Sequence, residues 1–326
     1  MDKKQIFFTN IRNVSLGAVL FNLVSGSGYP AIKIGYKLFG ISNQDIREII
    51  LFGGIRTAMA GGLIILGAAI LNRKWIKPQK EEWKGIILLA VVLTFLQGIF
   101  CYVGLANTSG TKGSILYGMG TYFAIIFSHF YNRAEKMTWR IAAGCALGFF
   151  SVLIFSLNGA GNFNISFMGD GILLLSAVFY AIGTNMNKKT AGKMDAFVLA
   201  GYQMLLGGIM ILLAAVGMGA GFKQVSGEGA GVLLYLIVSQ AVTFALWTVL
   251  LKYNNVGRIT IFNSLMPIFG TVLSWLILGE SIFSINIILS VFCAAAGIYF
   301  VNKNEIRPNL KLAGKPYFSP EKDTDC

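Results

Sequence analysis

"QAVTFALWTVLLKYNNVGRITIFNSLMPIFGTVLSWLILGE" runs from Gln240 to Glu280. An apolar helix leads into a short turn holding Lys252 and Arg258, a second apolar helix follows, and a glutamate closes it. The stretch "QGIFCYVGLANTSGTKGSILYGMGTYFAIIFSHFYNRAE", from Gln97 to Glu135, has the same order of parts, with Lys112 in its turn and nearly the same spacing from glutamine to glutamate. A second echo pairs "YPAI" at Tyr29 with "FYAI" at Phe179. Taken in order, these echoes predict a chain built twice from one unit.

The unit belongs in a membrane. Hydrophobic residues make up 55% of the chain and charged residues 13%, against about 25% charge in ordinary soluble proteins. A spanning helix needs about 20 mostly apolar residues. Windows of that length predict ten segments, at 14–38, 47–71, 85–105, 113–131, 138–158, 169–187, 195–217, 229–251, 258–278 and 283–302. The third and fourth are divided only by the short polar break "LANTSGTKG". The apolar runs are long and do not alternate, which excludes the ten-residue alternating strands of a membrane β-barrel.

The basic residues bear on the count. With ten helices and the N-terminus inside, 21 of the 27 lysines and arginines fall in inner segments. Lys37, Arg47, Lys112 and Lys223 fall outside, and Lys33 and Arg56 fall within helices. Such enrichment marks cytoplasmic loops, so both termini are expected in the cytoplasm and the chain in the cell membrane. The net charge of +13 is then spread over loops facing anionic lipid headgroups. A nucleic-acid partner would call for one basic patch on a soluble face, and the pattern shows none. Lys3 and Lys4 precede the first apolar run, which lacks a small-residue cleavage site and reads as an uncleaved anchor. Cys101, Cys145, Cys293 and Cys326 form neither a CxxC nor a close pair, so neither disulfide, metal site nor cofactor is expected. Five helices per unit is an odd number, so the second copy crosses the membrane in the opposite sense. The expected fold is all-α integral membrane, with ten transmembrane helices in two inverted repeats, 1–160 and 165–302, and a disordered cytoplasmic tail, 303–326.

Inverted repeats are a transporter signature, since mirror-related halves can open one central site to alternate faces. The chain resembles the drug/metabolite transporter superfamily, in its ten-helix EamA-type branch. The residues that carry the likeness are "SGSGYPAIKIG" in segment one, Arg56 in "GGIRTAMAGG", the glycine-rich entry to segment four, and "NSLMPIFGTVLSWLILGE" in segment nine. The first unit departs from the pattern: Tyr122 stands where Pro267 stands in the second, and "YNRAE" replaces "LILGE". The resemblance implies a central cavity lined by segments one, three, four, six, eight and nine, and small metabolites as cargo, amino acids among them.

On those segments lie the polar residues expected to line the cavity: Asn22, Gln97, Tyr102, Tyr117, Tyr122, Tyr180, Asn185, Gln240, Trp247 and Asn263. Polar groups inside a bilayer need partners, so they face one another or water. Gln97 and Gln240 occupy equivalent places in the two units. Lys33 either snorkels to the interface or faces the outer part of the pathway. Gly28 and Pro30, just before it, are expected to break the helix as a gate, and Pro267 to do likewise in segment nine. Arg56 lies too deep for easy snorkelling, and an intramembrane charge by default marks function; its alternative is a structural tie to backbone carbonyls or to Glu280. His129 reads as an interfacial, hydrogen-bonded residue. Gly144 and Gly148 form a GxxxG pair suited to helix packing, including a homodimer.

Asp45, Glu48, Asp170 and Glu280 all fall near helix ends. With no mid-membrane carboxylate to relay protons, the sequence points to a facilitator or exporter of amino-acid-like zwitterions or weak anions. A membrane enzyme would need paired carboxylates, HExxH or a Ser/His/Asp set, and one histidine leaves little to build it from. A scaffold or sensor that transports nothing is the remaining alternative.

Overall fold

The computed structural model describes residues 3–42, 45–107, 110–131, 136–156, 166–222, 225–278 and 285–303, and among these no strand occurs. A short helix, α1 (Lys3–Thr9), precedes α2 (Ile11–Leu38), whose start is capped by Asn10 accepting from the Arg12 amide at 3.0 Å. Next come α3 (Ile46–Asn72), then α4 (Trp83–Leu89), a π-helical stretch (Ala90–Leu96) and α5 (Gln97–Ala106), which run on as one rod. They are followed by α6 (Gly110–Tyr131) and α7 (Trp139–Ser156). A π turn, Phe167–Gly171, enters α8 (Ile172–Ala191), and α9 (Ala196–Gly217) begins at Asp195, which accepts from the Phe197 and Val198 amides. The chain continues through α10 (Gly227–Tyr253), α11 (Val256–Thr260), a 3-10 turn (Ile261–Leu265), α12 (Met266–Leu278) and α13 (Ile285–Asn302).

Six of these helical rods are long and apolar enough to cross a membrane: Ile46–Asn72, Trp83–Ala106, Phe167–Ala191, Ala196–Gly217, Gly227–Tyr253 and Val256–Ile277. Two shorter apolar helices accompany them, Trp139–Ile154 and Ile288–Asn302. The chain is a multi-pass helical membrane protein. The break expected after segment three falls between Ala106 and Gly110. Glu280, the inter-unit loop and the tail from residue 304 lie outside the described residues.

One expectation is corrected. Gly28 and Pro30 do not interrupt the first long helix; α2 runs helically through both. Pro30 removes one backbone donor, and the flanking turns carry the helix past it. Pro267 behaves differently. Its ring crowds the carbonyl of Asn263 four residues back, and there the chain is wound as the 3-10 turn Ile261–Leu265.

In lipid, helices gain little from burying apolar surface against one another, so close approach of small residues holds them. The α3–α9 pair shows this. A Cβ added to Gly61 would strike the Leu205 backbone, and one on Gly208 the Ala58 backbone. Gly54 lies against Leu212, and Gly201 against Ile65. Between α7 and α13, Gly144 meets Val301 and Gly297, while Gly148 sits against Tyr122 and Ser264. The GxxxG pair therefore packs helices within the chain, and its face is already taken, which removes it as the expected homodimer contact. Elsewhere α2 packs on α10 and α12, and α8 on α5 and α6. A large apolar cluster joins the start of α2 (Val14, Ala18), the end of α10 (Leu250, Leu251), α11 and α6 (Ala124, Ile125), closing that end of the bundle.

Candidate functional site

The phase of α2 shows where space opens. Val14, Ala18, Asn22, Gly26, Tyr29 and Lys33 follow one another at three- and four-residue steps, so they share one face. The first four are buried, whereas Tyr29 is 43% exposed and Lys33 is exposed. Tyr29 nevertheless touches Gly270 of α12 and has Cys101 as an electrostatic neighbour. Accessible space therefore adjoins Tyr29 on this stripe.

Around the space stand four tyrosines. Tyr117 of α6 has Cys101, Tyr29, Tyr180 and Tyr102 as its electrostatic neighbours. Tyr180 of α8 rests on Gly120, as Tyr29 rests on Gly270. The 3-10 turn ahead of Pro267 presents Asn263, whose Nδ2 donates to the Tyr180 hydroxyl at 3.0 Å. Its Oδ1 is buried with no partner among the described residues. Phe100 and Phe179 stack nearby, ring centroids 5.4 Å apart.

Arg56 reaches this group from α3. Its guanidinium lies beside the Tyr102 hydroxyl and is also a neighbour of Cys101 and Tyr36. Tyr102 comes so close because residue 53 is glycine, where a Cβ would overlap the tyrosine ring. The Arg56 Nε has no hydrogen-bond partner among the described residues. Arg56 thus faces the tyrosines, and the expected partner Glu280 lies outside the described residues.

The two glutamines sit beside the space as helix ties. Gln97, the first α residue after the π stretch, donates from Nε2 to Ser176 Oγ at 3.3 Å, and Ser176 Oγ donates to the Gln97 carbonyl at 2.9 Å. π turns are uncommon and concentrate at functional sites. Gln240 donates to Thr57 Oγ1 at 3.2 Å and keeps a buried, unpartnered Oε1. A third amide, Gln203 of α9, donates to Thr94 Oγ1 at 3.3 Å with its own Oε1 unpartnered. It is not among the expected residues, since its segment is not one that the resemblance places around the cavity.

Four expected lining residues lie apart from the tyrosines. Asn22 is fully buried and donates to the Ala18 carbonyl at 2.8 Å. Trp247 stacks on Phe21 at 4.7 Å and belongs to the closing cluster. Tyr122 is buried against Gly148 and lies 3.3 Å from Ser264 Oγ. Asn185 donates to the Ala124 and Ala181 carbonyls, both at 2.9 Å, beside a shallow hollow bounded by Phe127 and Phe130. His129 accepts at Nδ1 from the Met137 amide at 3.0 Å. Among the described residues, no group of three or more His, Cys, Asp or Glu side chains gathers in a way that could hold a metal ion.

An all-helical membrane bundle with a polar, aromatic-lined interior is the architecture of a solute carrier. The model of the EamA-like transporter family matches this chain twice, over residues 13–157 and 167–303. The chain belongs to that family and is a membrane transporter of small molecules. Among its relatives are the S-adenosylmethionine/S-adenosylhomocysteine transporter of Chlamydia muridarum (strain MoPn / Nigg), 23% identical over 84% of this chain and 89% of that protein. The transporter YoaV of Bacillus subtilis (strain 168) is 25% identical over 88% and 95%. A solved crystal structure superposes with a TM-score of 0.72, covering 89% of this chain and 98% of the other at 16% identity, which supports the fold. These names are of transporters rather than enzymes.

Proposed function

We propose that the chain carries amino-acid-like zwitterions or weak organic anions across the cell membrane by alternating access, as an exporter or facilitator. In this reading ten helices form two inverted five-helix repeats, 1–160 and 165–302, with both termini cytoplasmic.

The observation that carries the reading is the symmetry of the α3–α9 contact. A uniform shift of 147 positions takes Gly54, Ala58, Gly61 and Ile65 to Gly201, Leu205, Gly208 and Leu212, and it turns each glycine contact into its mirror partner. The other pairs agree: α2 on α12 answers α8 on α6, and α2 on α10 answers α8 on α5. Tyr29 on Gly270 answers Tyr180 on Gly120. Supporting evidence for exchange between faces is the contrast between the buried and exposed halves of the α2 stripe.

Flux from proteoliposomes tests transport. The solute panel includes zwitterionic amino acids and S-adenosylmethionine, the cargo named for the chlamydial relative. Saturable flux that needs the protein is expected, and its absence for every solute favours the scaffold or sensor alternative. Reporters fused at the C-terminus and near residue 162 test topology. Opposite sides are expected, and the same side for both breaks the inverted repeat.

A further inference from the structure

We infer that Arg56, set in place by Gly53 and Tyr102, is the seat for the acidic group of the solute, and that the tyrosines around Tyr117 receive a planar ring attached to it. The inference rests on the transport reading and names the class of solute: a carboxylate joined to a flat, largely apolar body.

The argument starts from charge. Arg56 lies about ten residues into α3, near the middle of a bilayer, where an arginine is held only with compensation. Here its neighbours are the Tyr102 hydroxyl, the Cys101 thiol and Tyr36, all neutral at physiological pH. Among the described residues no carboxylate pairs with it, and its Nε is unpartnered. A guanidinium beside neutral groups, with its buried Nε unpartnered, keeps donors for an incoming oxyanion. Its planar fork suits a carboxylate taken bidentately.

The walls supply the rest of the class. Tyr29, Tyr102 and Tyr180 surround Tyr117, and aromatic faces favour offset or edge contact with another flat ring. The unpartnered Oδ1 of Asn263, on the Tyr180 side, offers an acceptor to a donor at the far end of such a body. Lys33 stands one turn outward from Tyr29 on the same face of α2, so the approach to Arg56 is also basic. Gly53 is part of the design: with a Cβ at that position, the Tyr102 ring would be displaced from Arg56.

The test is binding to purified, detergent-solubilised protein, read as ligand-induced thermal stabilisation. The probes are phenylacetate, its neutral amide phenylacetamide, phenethylamine and hexanoate. Phenylacetate is expected to bind about tenfold or more tighter than phenylacetamide, the difference of one charge-assisted contact, and tighter than hexanoate and phenethylamine. Arg56→Gln should abolish the preference for acid over amide, while Phe150→Ala, on an exposed face, keeps it. Should Arg56→Gln fail to fold, Arg56→Lys carries the test. It should keep the acid preference at reduced affinity, since the charge remains and the fork is lost. Equal binding of acid and amide by the unmodified protein, no binding of phenylacetate, or an acid preference that survives Arg56→Gln overturns the inference. Saturable proteoliposome flux combined with any of these outcomes leaves transport standing and sinks the Arg56 seat alone. Absence of all flux sinks the transport reading instead.

Discussion

Asn263 and Tyr180 tie the 3-10 turn ahead of Pro267 to α8: the Asn263 amide donates to the Tyr180 hydroxyl at 3.0 Å. The other end of that amide, Oδ1, is buried and unpaired. A buried acceptor left unsatisfied costs about 1–3 kcal/mol, so a solute donor that reaches it gains affinity.

Asn263→Leu is therefore expected to raise the half-saturating concentration for transported solutes about fivefold or more, the scale of one hydrogen bond. Protein stability should change little, because removing the orphaned acceptor offsets the lost bond to the Tyr180 hydroxyl. Flux titrations alongside melting curves check this. An unchanged half-saturation would show that Oδ1 serves no solute.

Gln97→Ala and Gln240→Ala should each lower flux at normal expression, since each removes a tie between helices bordering the tyrosines. Phe150→Ala should do much less, because Phe150 is 51% exposed on α7. Equal losses at all three positions would point to general destabilisation.

Gly61→Ala and Gly208→Ala should both destabilise the protein by about 1–3 kcal/mol, as overpacking does, because the new Cβ meets backbone that cannot step aside. Gly62→Ala is the control, with nothing within 4 Å of its Cβ. Thermal melts in detergent decide it, and a silent Gly61→Ala would mean that α3 and α9 sit farther apart.

Lys33→Gln should weaken affinity for anionic and zwitterionic solutes by up to about 1 kcal/mol, a few-fold, since an exposed charge is screened. Neutral solutes should be unaffected. A flat response to Lys33→Gln across the charge series returns that residue to plain snorkelling.

The segments were legible because each apolar run ends at polar or charged residues. Segment two, read as 47–71, is the helix Ile46–Asn72, and segment seven, read as 195–217, is Ala196–Gly217. The site was legible only by helix, not by face. When every face of a helix is apolar, hydrophobic periodicity gives no phase. Tyr122 and Trp247 were thus grouped with Tyr117 and Tyr180, although they are buried inside the closing cluster, which Tyr180 only flanks. Tyr29 was quoted but passed over, since its exposure shows only beside its buried neighbours on the α2 stripe. The approach of Tyr102 to Arg56 was not legible, because the missing Cβ at Gly53 that allows it acts across helices. In the repeat proposed above, Tyr29 would answer Tyr180 rather than Phe179, judged by the glycine each ring touches.

In the inverted repeat proposed above, the mirrored glycine contacts of α3 and α9 have a thermodynamic consequence. Opening to one face and opening to the other are then related by the two halves trading roles. A contact set that maps onto itself under that trade has the same energy before and after it, so it acts as an axle and favours neither direction. Whatever makes the resting protein prefer one face must reside where the halves disagree. Along α2 and α8 the disagreements include Asn22 opposite Leu173, Gly28 opposite Phe179, Pro30 opposite Ala181 and Lys33 opposite Thr184. Directionality in this transporter is then a matter of a few unmatched side chains, adjustable without touching the joint on which the halves turn.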